Sequence, residues 1–272
     1  IALAECYIFQ RKFEPAFKEL AELSQLAQIE QSESNNSQIT KAKVLFWTGY
    51  ALAGTGKFEE AVKKLNECLE IREKILSENH EDVAIVHLRF GYTYFNQGKY
   101  DEAHKAFEKC ISINTACKNE NTLNVAKSYN NIGVILETQR KYEEALKNFK
   151  KALQIYLNLY GEDYPYVADQ YNNIGNIFFG QEKYSEANDY YYKALKIKKK
   201  YHGENSPEVA LVYGNIASTM DRMFKFNEAI GYMKKSFEIY KTKYGESHPE
   251  LAHIFFLIGN TLSRQSKYQE SL

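Results

Sequence analysis

A Lys-aromatic pair returns along the sequence as Lys12-Phe13, Lys57-Phe58, Lys99-Tyr100, Lys141-Tyr142, Lys183-Tyr184, Lys225-Phe226 and Lys267-Tyr268, with aromatic-to-aromatic steps of 45, 42, 42, 42, 42 and 42. Equal intervals in succession mark a stacked repeat, in which each short unit buries its apolar face against its neighbours. The longer first step is absorbed by the polar stretch Glu30-Gln31-Ser32-Glu33-Ser34-Asn35-Asn36-Ser37, read as a loop insertion of three residues.

Further columns keep the period. Three residues after each aromatic stand Ala16, Ala61, Ala103, Ala145, Ala187, Ala229 and Ser271, small enough for two backbones to touch. Nine residues before it stand Ala4, Gly49, Gly91, Gly133, Gly175, Ala217 and Gly259. A glycine inside a helix costs about 1 kcal/mol against alanine, which close helix packing would offset. Around the glycines the apolar residues are spaced i, i+3, i+4, i+7, as in Tyr129, Ile132, Gly133 and Leu136, which predicts the buried stripe of a first helix. Ala145, Phe149, Ala152, Leu153 and Tyr156 then share one face of a second helix. Ser206 before Pro207, with Pro165 and Pro249, marks helix starts, since a first-turn N–H has no partner within the helix.

A helix–turn–helix unit with a small residue in its first helix, an alanine early in its second and an aromatic at the turn resembles the tetratricopeptide repeat, whose usual length is about 34 residues. Units of 42 joined by linkers such as Tyr160-Gly161-Glu162-Asp163-Tyr164-Pro165 and Tyr244-Gly245-Glu246-Ser247-His248-Pro249 are similar to those of kinesin light chains. The earlier linkers, Ser77 to Asp82 and Cys117 to Thr122, lack Gly and Pro and depart from that pattern. The resemblance implies an all-α, right-handed α-solenoid running through residues 1–272 as a single array. Its complete units are expected at 40–79, 81–121, 123–163, 165–205 and 207–247, flanked by a partial unit at 1–39 and a truncated one at 249–272, as in a piece of a longer protein.

The resemblance also implies that first helices line an inner, concave wall, where partners bind. Two residues before the glycine the column reads Trp47, Arg89, Asn131, Asn173, Asn215 and Leu257, with Asn130 and Asn172 beside it. Amides both donate and accept hydrogen bonds, so an asparagine ladder suits the backbone of an extended peptide. The alternative is that these asparagines bond across adjacent helices or face water. Lys43, Phe46, Tyr50, Tyr92, Asn96, Lys127, Val134, Asn176 and Phe179 are further candidates for the same wall. A clamp for a chaperone's C-terminal carboxylate is not expected: Arg89 and Lys127 lie near Asn131, but Leu211 and Leu257 occupy the later positions where more cations would be needed.

Lys+Arg and Asp+Glu both number 35, which removes the basic field expected of a nucleic-acid or anionic-membrane binder. No apolar run approaches the length of a membrane span. Cys6, Cys68, Cys110 and Cys117 show no paired spacing, which points to a reducing, cytoplasmic setting. Cys68 and Cys110 share a small-residue column with Ala152, Ala194 and Ser236 and read as core thiols. The histidines form no metal-ligand spacing, and His248 beside Pro249 reads as a helix cap. Gly54-Thr55-Gly56-Lys57 reads as a hairpin turn, and Lys196-Ile197-Lys198-Lys199-Lys200 as a solvated outer face.

No catalytic residue, metal or cofactor is expected. The sequence supports a scaffold or adaptor holding a peptide or protein partner, without nucleic acid or membrane insertion. The alternative is a permanent structural subunit of a cytoskeletal or ciliary assembly, to which the Lys-, Asn- and Tyr-rich composition of an AT-rich genome adds weight.

Overall fold

The computed structural model describes residues 1–29 and 35–271, except for the side chains of 24–29 and 267–271. Among the described residues there are thirteen helices and no strand. They are α1 (Ala2–Phe9), α2 (Phe13–Ile29), α3 (Asn35–Gly54), α4 (Phe58–Ile75), α5 (Glu81–Asn96), α6 (Tyr100–Ala116), α7 (Leu123–Thr138), α8 (Tyr142–Tyr160), α9 (Pro165–Gly180), α10 (Tyr184–His202), α11 (Pro207–Arg222), α12 (Phe226–Tyr244) and α13 (Pro249–Ser271). The chain divides into two compact units, Ile1–Ile132 and Gly133–Leu272, each a run of stacked α-hairpins.

The glycine column explains the hairpins. A Cβ placed on Gly91 would lie 2.4 Å from Phe107, on Gly133 2.6 Å from Phe149, on Gly175 2.6 Å from Tyr191, and on Gly49 2.9 Å from Leu65. Each partner lies sixteen residues further along, on the second helix of the same hairpin. Where the small residue is alanine, the residue sixteen on is unbranched at Cβ and not aromatic: Ala4 precedes Leu20 and Ala217 precedes Met233, all four buried. The first helix therefore offers a notch and the second fills it with a large side chain. The alanines after the turn, from Ala16 to Ala229, are completely buried and bring the two backbones together.

The Lys-aromatic pair has a backbone role and a packing role. The residue before each of the first six lysines is left-handed: Arg11, Gly56, Gly98, Arg140, Glu182 and Phe224 have φ between 56° and 81°. The lysine N–H then reaches back five residues, as in Lys99 to the Tyr94 carbonyl (2.9 Å) and Lys141 to that of Leu136 (2.9 Å). This closes the last turn of the first helix and satisfies carbonyls that would lack partners. The aromatic opens the second helix and packs on the end of the first, edge to face between Phe95 and Tyr100 (5.6 Å) and between Phe179 and Tyr184 (5.5 Å). Within each unit neighbouring hairpins are also tied by amide bonds, Gln97 to Glu59 (2.7 Å) and Gln181 to Glu143 (2.9 Å).

Helix starts follow the prolines. Pro165, Pro207 and Pro249 are the first residues of α9, α11 and α13, and the Ser206 hydroxyl accepts from the Val209 N–H. His80 and His248 cap α5 and α13, their Nδ1 atoms accepting from Asp82 (3.1 Å) and Glu250 (3.4 Å). Cys68 and Cys110 are fully buried, and burial pushes both thiols up to about 11.

Three expectations need correction. Asn35, Asn36 and Ser37 are the first turn of α3, not loop; the rest of that insertion, residues 30–34, lies outside the described residues. Helix α13 continues through Ser266 to Ser271 with no turn before Lys267, whose side chain, like that of Tyr268, lies outside the described residues. The 196–200 lysine run is not simply solvated: Lys198 is buried against Asp169 (2.7 Å), while Lys200 pairs with Asp163 (2.5 Å) and Lys199 with Glu204 (3.4 Å).

Gly91→Ala is expected to cost about 1–3 kcal/mol by overpacking against Phe107. Combining it with Phe107→Met, the pairing that Ala217 and Met233 already use, should recover about 1 kcal/mol relative to the sum of the single changes. Urea midpoints of the four proteins measure this coupling, and strict additivity would refute the notch. Glu182→Gly relieves a left-handed strain of about 1 kcal/mol and should raise the midpoint by the equivalent of about 0.5 kcal/mol. A lowered midpoint would show that the strain is absent.

Candidate functional site

The notch-bearing face of each first helix is spent on its own hairpin, so the residues beside it are free to line clefts. In the first unit a cleft of about 580 Å³ is walled by Phe9 and Phe13, by Tyr50 of α3, by Leu88, Arg89, Tyr92 and Asn96 of α5, and by Lys127 of α7. The Arg89 guanidinium lies 3.9 Å over the Tyr50 ring, 5.7 Å from that of Tyr92 and 5.9 Å from that of Phe46. Burial lowers the pKa of both Arg89 and Lys127, and the nearby charge of Arg89 lowers that of Lys127 further. Asn131 Nδ2 donates to the Lys127 carbonyl (2.7 Å) and to the Tyr92 hydroxyl (3.3 Å), fixing α7 against α5.

In the second unit a cleft of about 560 Å³ is lined by Glu137 and Arg140, Tyr142, Asn176 and Phe179, Tyr191, Asn215 and Ser218. The Tyr191 hydroxyl donates to Asn176 Oδ1 (2.9 Å), and Asn215 Nδ2 donates to Asn172 Oδ1 (2.8 Å), linking α9 to α11. Burial pushes the Glu137 carboxyl up to about 6. Burial first, and the Glu137 charge second, raise Tyr191 far above the ordinary phenol range.

Of the residues singled out from the sequence, Tyr50, Arg89, Tyr92, Asn96 and Lys127 converge in the first cleft, and Asn176, Phe179 and Asn215 in the second. Asn130, Asn131, Val134, Asn172 and Asn173 are half-buried beside the clefts rather than lining them. The asparagines thus realise part of the alternative: Asn131 and Asn215 each bond to a neighbouring first helix. Lys43 is exposed and outside the cleft lining. Phe46 is a core residue, packed with Leu45, Leu65, Val86 and Phe90, because its position on α3 points into the stack. Trp47 is wedged edge to face between Phe9 (5.7 Å) and Phe46 (5.3 Å).

Glu137, Tyr142 and Tyr191 were not anticipated as cleft residues. The sequence did carry a signal for two of them: Tyr142 is the aromatic of a turn, and Tyr191 is the notch-filler of its hairpin, with a hydroxyl where Phe107 and Phe149 have none. The clefts offer hydrogen bonds, ring faces and charge. Among the described residues no three His, Cys, Asp or Glu side chains come together as a metal site, and no helix is long and apolar enough to cross a membrane.

Models of the tetratricopeptide repeat match residues 42–116, 124–200, 171–242 and 208–272, and a further one matches 88–159. No curated protein matches the sequence. Among solved structures, BtubC (BKLC) from P. vanneervenii is similar with a TM-score of 0.75 at 21% identity, covering 88% of this chain and 93% of that one. The nearly identical TPR-like repeats of a putative kinesin light chain from Podosopora anserina give 0.63 at 15%, covering 78% and 100%. The apo form of the quorum sensor NprR from B. thuringiensis gives 0.70 at 15%, covering 99% and 82%. At these identities the likeness is one of fold.

Because the folded state raises the Glu137 pKa, the native protein holds its proton more tightly than the unfolded chain, so this residue's contribution to stability falls as pH rises from about 4.5 to about 6. Glu137→Gln is therefore expected to gain melting temperature relative to the parent across that interval and to hold the gain above it. Parallel melting curves for the two proteins from acid to neutral pH would contradict the burial of this carboxyl.

Proposed function

The chain belongs to the tetratricopeptide repeat family, and on that premise we propose that it is a non-catalytic scaffold whose first-helix clefts take an extended segment of a partner protein. The family and fold make it a candidate for protein–protein interaction; the clefts supply the finer reading. The observation that carries it is the fixed polar lining of the second cleft, with Asn131 holding α7 against α5 beside the first. Asn131, Asn176 and Asn215 are held by bonds to neighbouring side chains, and Asn176 and Asn215 line the second cleft between ring faces. Groups held in place before binding lose little entropy on contact. That a quorum sensor in its apo form shares the fold supports a ligand-receiving role.

The fold shared with a putative kinesin light chain supports an adaptor role, in which the partner is cargo or a motor. Exposed Cys6 and Cys117 thiols suit the reducing cytoplasm. The second reading is a structural subunit held in a cytoskeletal or ciliary assembly.

Panning a displayed random-peptide library against the whole chain tests the scaffold reading. Selected peptides are expected to bind about tenfold more weakly after Tyr50→Ala in the first cleft or Phe179→Ala in the second, the loss typical of an aromatic anchor. If no peptide is selected, or if selected peptides ignore both substitutions, the clefts are not the recognition surface.

A further inference from the structure

An ion pair inside the second unit has an incomplete counterpart two repeats earlier. Asp221, in the last turn of α11, is paired with Arg264 of α13, forty-three residues further on. The Arg264 guanidinium lies 5.8 Å over the ring of Phe226, the aromatic that opens α12. In the same columns two repeats earlier stand Glu137 for Asp221, Tyr142 for Phe226 and Gly180 for Arg264. The acid and the ring are kept, and the cation is missing. All three residues line the cleft of about 560 Å³. Among the described residues the Glu137 carboxylate has neither a hydrogen bond nor an ion pair. Burial pushes it up to about 6, and no cation of the protein offsets that shift. A Cβ on Gly180 would lie 2.8 Å from the Tyr142 ring, so no side chain can reach the acid from that position of α9 as Arg264 does from α13. Arg140 also lines the cleft, but it is exposed and makes no ion pair with Glu137. The remaining lining is neutral: the hydroxyls and amides of Thr138, Asn176, Asn215 and Ser218, and the rings of Phe179 and Tyr191.

We propose that the second cleft is a subsite for an arginine side chain of the partner segment, whose guanidinium enters between the Glu137 carboxylate and the Tyr142 ring. This rests on the scaffold reading and names the side chain that the second cleft selects. The chain itself shows the combination, since Asp221 and Phe226 hold Arg264 by an acid and a ring face at the equivalent positions. A guanidinium suits both groups, because its planar fork meets a carboxylate edge-on while its face stacks on an aromatic ring. A half-buried carboxylate that lacks a partner gains more from a cation than a solvated one does, since the charge is already partly stripped of water. The cation has to come from outside, because Gly180 is where the protein would otherwise have supplied it.

The test uses the whole chain with carbon-13 in its glutamate carboxyls and follows the Glu137 resonance, identified by its loss in Glu137→Gln. It is run at about pH 7.5, where this carboxyl is ionised. The probes are N-acetyl-alanyl-arginyl-alanine amide and its citrulline counterpart, which keeps the shape and lacks the charge. The expected result is a saturable shift with the arginine probe alone. Followed through the Tyr142 ring resonances, binding should weaken about tenfold in Glu137→Gln, the scale of a lost partly buried charge contact. That variant is expected to gain stability, so the loss reports the contact and not the fold. Arg140→Gln removes the one cation of the lining and should leave binding equal or stronger. No saturable shift, equal shifts with both probes, unchanged binding in Glu137→Gln or weaker binding in Arg140→Gln each overturns the arginine subsite. Library peptides that bind through the second cleft without enrichment in arginine and without dependence on Glu137 would also overturn it, while leaving the scaffold reading in place. An arginine response with no selected peptide would do the reverse, sustaining the subsite and removing the extended-peptide reading.

Discussion

The contact on which the architecture depends is the insertion of one large side chain from each second helix into a notch on the first. Helix axes packed through ordinary side chains lie about 8–10 Å apart, and only glycine or alanine at the contact allows closer approach. Gly91 beneath Phe107 and Gly133 beneath Phe149 show the limit, with no room for a methyl group. The cost of glycine in a helix is offset by the burial of a whole phenyl ring, worth about 2–3 kcal/mol in transfer free energy alone. Because the filler sits sixteen residues after the notch, the intervening turn has a fixed length. The left-handed residue and the lysine N–H that closes the first helix supply that turn, even where arginine or glutamate occupies the strained position.

That constraint also decides where function can reside. The first helix uses one face for its own partner helix and flanking faces for the adjacent hairpins, so its remaining residues vary without disturbing the stack. In the column of Arg89 the repeats carry tryptophan, arginine, asparagine and leucine, while the notch column holds to glycine or alanine. The two clefts consequently differ in character. Cations lie in the first, and the second contains a carboxyl that burial pushes up to about 6, beside Arg140. A scaffold built from near-identical hairpins thereby acquires distinct binding chemistry from a handful of positions that packing leaves unconstrained.

The period made the helices, turns and buried columns legible from the sequence, since each residue type recurs where the same physical demand recurs. The all-α repeat and the family followed from it. What a single column does not show is its partner. The column of Gly91 carried no sign of Phe107, and their pairing needed the antiparallel geometry of the hairpin. Phe46 was placed in the groove because a position three residues before the glycine lies near the edge between buried and open faces, and on α3 the stack closes over it. Whether the asparagines face a groove or bond across helices stayed open because sequence gives no distance between Asn131 and Tyr92 or between Asn215 and Asn172. Glu137 escaped notice because one carboxylate on a helix carries no sign of burial. The polar residues that begin α3 were read as loop for their composition alone, although asparagine and serine suit a helix start as well as a turn.

The same geometry explains how the first cleft tolerates its charge. An arginine on a flexible arm would rotate into water. Arg89 is prevented from doing so by Tyr50 under its guanidinium, while Tyr92 is itself fixed by the Asn131 amide that also anchors α7. Lys127 comes from α7, so the packing of first helix on first helix brings its charge near that of Arg89. The unfavourable proximity of two cations is thus maintained by the hairpin stack, whose stability comes from the notches and is distributed over every repeat. Strain of this kind persists where surrounding structure over-determines it. The fold supplies the rigidity, and the rigidity keeps the charge available.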